Sequence, residues 1–275
     1  MKLTLPKEYN FLIPLTPKSL VRMGVKKDGG YVVNEELINK SRTLVSFGMG
    51  NEFSFEKEFL VKDIRNKVFI YDFSINHFHY LKELLKNIRR ILKFKRNLDH
   101  LKKWFLEYFY FTKFTLMKKV NFFSKKVTSK INSKEEVNLN QIFESPILLN
   151  EKNITLKKDI EGSEYEIIDD ILYYEKQINQ LIMEYHDTHL RKEEFFENIL
   201  KLKKYFEINH LHPNNFNKLN QDGFSINIEI TFSNKRQNAH KGIKRYSFPI
   251  PNLDYPNDED SKSKYISIID NDKKV

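Results

Sequence analysis

The chain has 275 residues, 40% of them hydrophobic and 14% aromatic, a formal charge of +10 and no cysteine. That length suits one large domain or two small ones. The missing cysteine excludes a disulfide framework, a thiolate metal site and a cysteine nucleophile. No stretch approaches the roughly 18 apolar residues of a membrane span, and three prolines break the N-terminal "MKLTLPKEYNFLIPLTP" before it can read as a signal peptide. The expectation is one cytoplasmic domain over 1–275, ending in a loosely ordered polar tail from about 252, apart from the short apolar run "YISII" at 265–269.

Short runs rich in β-branched or aromatic residues predict buried strands. In chain order they are "TLVSF" (43–47), "KVFIYDF" (67–73), a weaker "KVNFF" (119–123), "NITLKKDI" (153–160), "QLIMEYH" (180–186), "YFEINHLH" (205–212) and "INIEITF" (226–232). Helical spacing predicts helices over 54–64, about 77–110, 163–176 and 192–204. Strands alternating with helices predict an α/β fold with a mostly parallel, doubly covered sheet. The last two strands have no obvious helix between them, so an antiparallel edge hairpin is expected.

In such a sheet, ligands bind beyond the carboxyl ends of the strands. The first strand of that series ends in "SFGMGNEF", where Gly48 and Gly50 flank Met49 at a strand-to-helix turn; glycine there permits positive φ and close approach to the backbone. The second ends in Asp72, placed to grip ribose hydroxyls. The third glycine of a dinucleotide fingerprint is absent, which points to a nucleoside cofactor without a tightly gripped pyrophosphate. Further on, "LKKDIEGSEYEII" (156–168) brings Asp159 and Glu161 to a strand end, with Gly162 allowing the turn. Glu164 and Glu166 are expected in the first turn of the next helix, where its dipole favours negative charge. Glu184 and His186 share one strand face by period two, as do His210 and His212, and Glu229 lies on the last strand. Asp159, His186 and His212 make a two-histidine, one-carboxylate set suited to Fe2+ or a similar divalent metal such as Mn2+.

The charge is concentrated. From Leu81 to Lys126 there are fourteen Lys or Arg against three acids, a net of +11, leaving about −1 for the rest. Leu81, Leu84, Leu85, Ile88 and Leu92 fall at helical spacing, and Leu98, Leu101, Phe105 and Tyr108 repeat it. This predicts a basic amphipathic helical insertion over about 81–118, as one long or two shorter helices. Three uses are open to it: a solvated cover for the core, a holder of an anionic acceptor, or contact with an anionic membrane surface through 81–126.

With these residues assembled, the chain resembles the FkbM-type family of S-adenosylmethionine-dependent methyltransferases. The likeness rests on the lysine–x–aspartate–x–glutamate–glycine pattern in "LKKDIEGSEYEII". In order around it stand "DGGYVV" (28–33), "SFGMG" with "SFE" (46–56), "DFS" (72–74), "MEYHD" (183–187), "HLHPNN" (210–215) and "EITF" (229–232). The resemblance implies a Rossmann-like methyltransferase fold with a seven-stranded sheet. It implies S-adenosylmethionine bound by Gly48, Gly50, Asn51, Asp72 and Ser74. Asp159, Glu161, His186 and His212 would then line the reaction cleft, and Asp28, Tyr31, Asn214 and Asn215 would meet the acceptor. The implied reaction is O-methylation of a sugar hydroxyl, on a nucleotide sugar or glycan precursor of a surface polysaccharide. A sugar hydroxyl is a very weak acid beside a histidine of pKa about 6.5. The proton must therefore leave to His186 or His212 as the new bond forms, or a divalent metal must acidify the hydroxyl. The alternative is a nucleic-acid methyltransferase or binder that uses the basic insertion, with strongly salt-dependent affinity.

Overall fold

The computed structural model describes residues 2–93, 98–160, 162–216, 219–237 and 242–268. Two short strands, β1 (Leu20–Met23) and β2 (Tyr31–Asn34), pair antiparallel ahead of the main sheet. Asn34 then caps α1 (Glu35–Lys40), its side chain accepting from the N–H groups of Glu36 and Leu37. The main sheet is built from β3 (Thr43–Phe47), β4 (Lys67–Tyr71), β5 (Val120–Phe123), β6 (Ile154–Lys158), β7 (Ile178–Tyr185), β8 (Phe206–Pro213) and β9 (Ile228–Asn234). Its order is β8-β9-β7-β6-β3-β4-β5. The run from β7 to β5 is parallel, and β9 pairs antiparallel with both β7 and β8. This is an α/β, Rossmann-like arrangement, with the expected antiparallel edge hairpin.

Every residue of β3, β6 and β7 is buried, as central parallel strands covered on both faces should be. Period two divides them between two cores. Val45, Phe47, Phe69 and Tyr71 face one layer, whereas Leu44, Val68 and Ile70 face the other. The layers are supplied by α2 (Ser54–Lys62), α3 (His77–Leu92), α4 (Leu98–Thr115), α5 (Leu139–Phe143), α6 (Ile168–Tyr173) and α7 (Lys192–Leu202). The insertion between β4 and β5 is thus two helices. The rings of Trp104 and Tyr108 on α4 stand 6.1 and 5.6 Å from that of buried Tyr80 on α3.

Two stretches differ from the sequence-based expectation. Helix α6 begins at Ile168 rather than 163, so its first-turn acids are Asp169 and Asp170, not Glu164 and Glu166. The preceding residues form a turn that opens on Gly162 at φ +96°. It is held because the Lys158 amino group donates to the Glu164 carbonyl and Arg191 donates to the Gly162 carbonyl at 2.9 Å. The polar tail also differs from the expected loose order. The apolar run set apart from it pairs, Tyr265–Ser267 with Lys2–Thr4 and with Ser247–Phe248, and the polar part before it is held as well; residues 269–275 lie outside the described ones. Asp254, with its side chain fully buried, accepts from the Ile250 N–H at 2.6 Å and meets His210 Nε2 at 2.8 Å and His212 Nδ1 at 3.2 Å.

Burial alone would raise the Asp254 carboxyl, but His210 and His212 outweigh it and hold the group well below the usual carboxylate range. A folded-state pKa below the unfolded one, about 3.9, gives stability that is complete above pH about 4 and is lost as pH falls below it. Asp254→Asn is expected to cost about 3 kcal/mol, roughly 6–10 °C in melting temperature at pH 7. The gap to the parent protein should narrow below pH about 4. An unchanged melting curve at pH 7 would remove the tail from the stability of the sheet edge.

Candidate functional site

The carboxyl ends of β3, β4 and β6 open on one cavity of about 430 Å³. Gly48, Gly50, Asn51, Asp72 and Ser74, the residues expected to hold a cofactor, all line it. So do Asp28, Tyr31 and Asp159. Lys125, Lys126 and Val127, just beyond β5, add a part of the wall that the sequence left unassigned, with Tyr71 and Phe73.

The glycine turn has two different reasons for its glycines. Gly48, at φ +73°, has the Asp159 carbonyl against it, and a methyl group there would sit 1.6 Å from that oxygen. Gly50, at φ +60°, faces open space. So Gly48 serves the close approach of two strand ends, and Gly50 the shape of the loop. The Gly48 carbonyl accepts from the Lys157 ammonium at 2.7 Å. Lys157 is buried beside fully buried Glu56, 3.2 Å away. Burial would lower its pKa, but Glu56 and Asp159 outweigh this and keep it raised.

Asp72 is engaged by the protein itself. One carboxylate oxygen accepts from Met49 and Gly50 N–H at 2.8 and 2.9 Å; the other accepts from Ser74 N–H and hydroxyl and from Ile75 N–H. Five donors fill the roughly four lone-pair sites of a carboxylate. Asp72 therefore shapes the loop, and a ribose grip there would displace one of these bonds. Asn51 accepts from the Tyr80 hydroxyl at 2.9 Å, which ties the loop to α3.

Asp159 accepts from the Tyr31 hydroxyl at 2.9 Å, and its other oxygen lies 4.0 Å from His186 Nε2. His186 is placed by Glu164, whose fully buried carboxylate accepts from the His186 backbone N–H at 3.0 Å and contacts Nδ1 of the ring. Burial would raise the Glu164 carboxyl, but the contact with His186 outweighs it and holds the pKa below normal. An ionised carboxylate only accepts, so Nδ1 carries the proton and Nε2 is the basic nitrogen. That nitrogen is also 3.7 Å from Glu184. Sequence reasoning gave Glu164 a helix-dipole role; the signal it lacked was the spatial return of β7 beside the turn.

The structure does not bring His212 to Asp159 and His186. His212 Nε2 lies 2.9 Å from Asn257 Oδ1, and its other nitrogen faces Asp254. Glu184 takes the third place: single ligand atoms of Asp159, Glu184 and His186 lie within 4.8 Å of one another, as do those of Asp28, Glu184 and Glu229. Burial first, then Asp159, Glu229 and Asp28, push the Glu184 carboxyl well above its usual value. Asn214 donates to Glu184 at 2.8 Å, and Asn257 donates to Glu229 at 2.7 Å. Asn215 spends its amide on the backbone of Asp258 and Ser261 and does not reach the cavity. Glu161 lies outside the described residues.

No family model and no curated protein matches the chain. Similar solved structures include a fibrillarin/Nop5p complex at 8% identity, covering 70% of this chain and 72% of that one with a TM-score of 0.37. The Geobacter metallireducens precorrin-6y C5,15-methyltransferase is similar at 14% identity, over 72% and 86% of the chains, with a TM-score of 0.30. The Methanococcus jannaschii fibrillarin pre-rRNA processing protein is similar at 11% identity, over 79% and 71%, with a TM-score of 0.36.

The two glycines should respond differently to a methyl group. Gly48→Ala is expected to cost about 3 kcal/mol or more, from the clash and the positive φ together. Gly50→Ala, which meets nothing, should cost only about 1 kcal/mol. Thermal melting compares them; equal effects would contradict the close approach of Gly48 to Asp159.

Proposed function

We propose that the chain is an S-adenosylmethionine-dependent O-methyltransferase acting on a hydroxyl of a sugar, on a nucleotide sugar or glycan precursor. The observation that carries this reading is a single cavity joining the Gly48–Gly50 turn to Asp159, beside an oriented histidine. Its volume is within the usual range for cofactor sites, about 300–1,000 Å³. The open space at Gly50 leaves the loop backbone accessible, and Phe73, 57% exposed, offers a flat apolar wall for a purine with Val127. When bound, the cofactor supplies a methyl group already activated on sulfonium.

The chain's own residues then have two tasks. Tyr31 fixes Asp159, which accepts a hydrogen bond from a neighbouring hydroxyl of the sugar and so sets the direction of the reacting one. His186 Nε2, held by Glu164, takes the hydroxyl proton as the carbon–oxygen bond forms. Alignment to about 3–3.5 Å supplies the remaining advantage. Asp159, Glu184 and His186 also fit a divalent cation such as Fe2+ or Mn2+, since converging carboxylates leave Glu184 reluctant to ionise without a counter-charge. With the Nε2 lone pair on such a cation His186 would not take the proton, and the cation would instead supply Lewis acidity that acidifies the acceptor oxygen.

His186→Ala is expected to lower methyl transfer from labelled cofactor to a nucleotide-sugar panel by about 10²-fold or more. Cofactor affinity should stay within about threefold. Full turnover in that variant would overturn the assignment. Chelator-stripped protein should gain melting temperature with Mn2+, and Glu184→Gln should abolish the gain; no shift in either protein would remove the cation from the reading.

A further inference from the structure

The helical insertion presents an apolar stripe that the fold does not cover. On α3, Phe78, Leu81, Leu85, Ile88 and Leu92 are 74, 48, 57, 41 and 74% exposed. At 3.6 residues per turn they fall within an arc of roughly 80°. The face of α3 that packs inward is a different one, carrying buried Tyr80 and Asn87. The arc beside the stripe carries exposed Lys82, Lys86, Arg89 and Lys93. Helix α4 repeats the pattern: Phe105, Leu106, Phe109 and Tyr110 are 40–59% exposed, with exposed Lys102, Lys103 and Lys113 on the same helix.

Nine exposed large apolar side chains on one hairpin would be costly in water. What covers them must also tolerate the net +11 of the segment 81–126. A second copy of the chain pairing through the same face would bring two such segments together, and like charge opposes that. A bilayer rich in anionic lipid offers both an apolar layer and opposite charge, and basic amphipathic helices lie in that interface. Among the described residues no helix is long and apolar enough to cross a membrane, so contact would be in the plane.

We propose that α3 and α4 form an in-plane docking surface for anionic membranes, with the α3 stripe buried in the headgroup boundary and the flanking Lys and Arg on the lipid phosphates. Because Tyr80 of α3 also bonds Asn51 of the cofactor loop, docking through this hairpin would hold the cavity near the bilayer. The proposal is independent of the methyltransferase reading.

The test is co-sedimentation of the full chain with vesicles of phosphatidylcholine alone or with about one-third phosphatidylglycerol. The expected result is at least tenfold tighter binding to the anionic vesicles, weakened by added salt. A Leu81→Ser/Leu85→Ser/Ile88→Ser variant should melt like the parent, because these side chains are exposed, and should lose binding at least tenfold. Should that variant misfold, Lys82→Glu/Arg89→Glu should give the same loss. The proposal is overturned by no binding to anionic vesicles, by equal binding to neutral ones, or by equal binding of the folded variants. It is also overturned by a dimer that dissociates when the stripe is changed, or by single-stranded RNA binding that depends on the stripe while vesicles do not bind.

Discussion

The contact between Gly48 and the carbonyl of Asp159 sets the geometry of the whole cleft. Two parallel neighbours, β3 and β6, end side by side, and only a residue without a side chain lets their turns touch. That one approach puts the glycine turn and the Asp159 carboxylate into the same cavity. The surrounding bonds then lock it. Lys157 holds the Gly48 carbonyl, Asp72 gathers the next two N–H groups, and Tyr31 holds the Asp159 side chain.

The cost of this arrangement is charge under cover. Lys157, Glu56, Glu164, Glu184 and Glu229 are all buried, and buried ions are rarely a net gain in stability. They are paired in a graded way. Lys157 and Glu56 neutralise each other, and Glu164 is matched to His186. Glu184 meets an amide donor and neighbouring carboxylates, Glu229 an amide donor, His212 and the charge of Arg22, and both are raised above the usual carboxylate value, burial being the largest cause. The unbalanced group lies beside Asp159 and His186, while the balanced pairs support the walls.

Much of the fold was legible in the sequence because central parallel strands are short runs of buried residues and glycine turns follow them. The seven strands, the edge hairpin and the paired helices of the insertion all correspond to such patterns. That Gly48, Gly50 and Asp72 line the cavity was legible for the same reason, since position at a strand end places a residue in the cleft. Contacts between segments distant in sequence were not. Glu164 looked like a first-turn acid, yet the Gly162 turn delays the helix and returns its carboxylate to His186, 22 residues on. His212 looked equivalent to His186, but Asp254 and Asn257, more than forty residues away in a tail of low apolar content, engage it. Local pattern carries strand ends; it does not carry which partner a buried polar group finds.

The central claim is that the cavity between Gly48 and Asp159 holds S-adenosylmethionine. Calorimetric titration of the chain with S-adenosylmethionine and with S-adenosylhomocysteine tests it most directly. The account predicts one site per chain with micromolar affinity for both. Absence of heat and of any shift in melting temperature with either compound would contradict it.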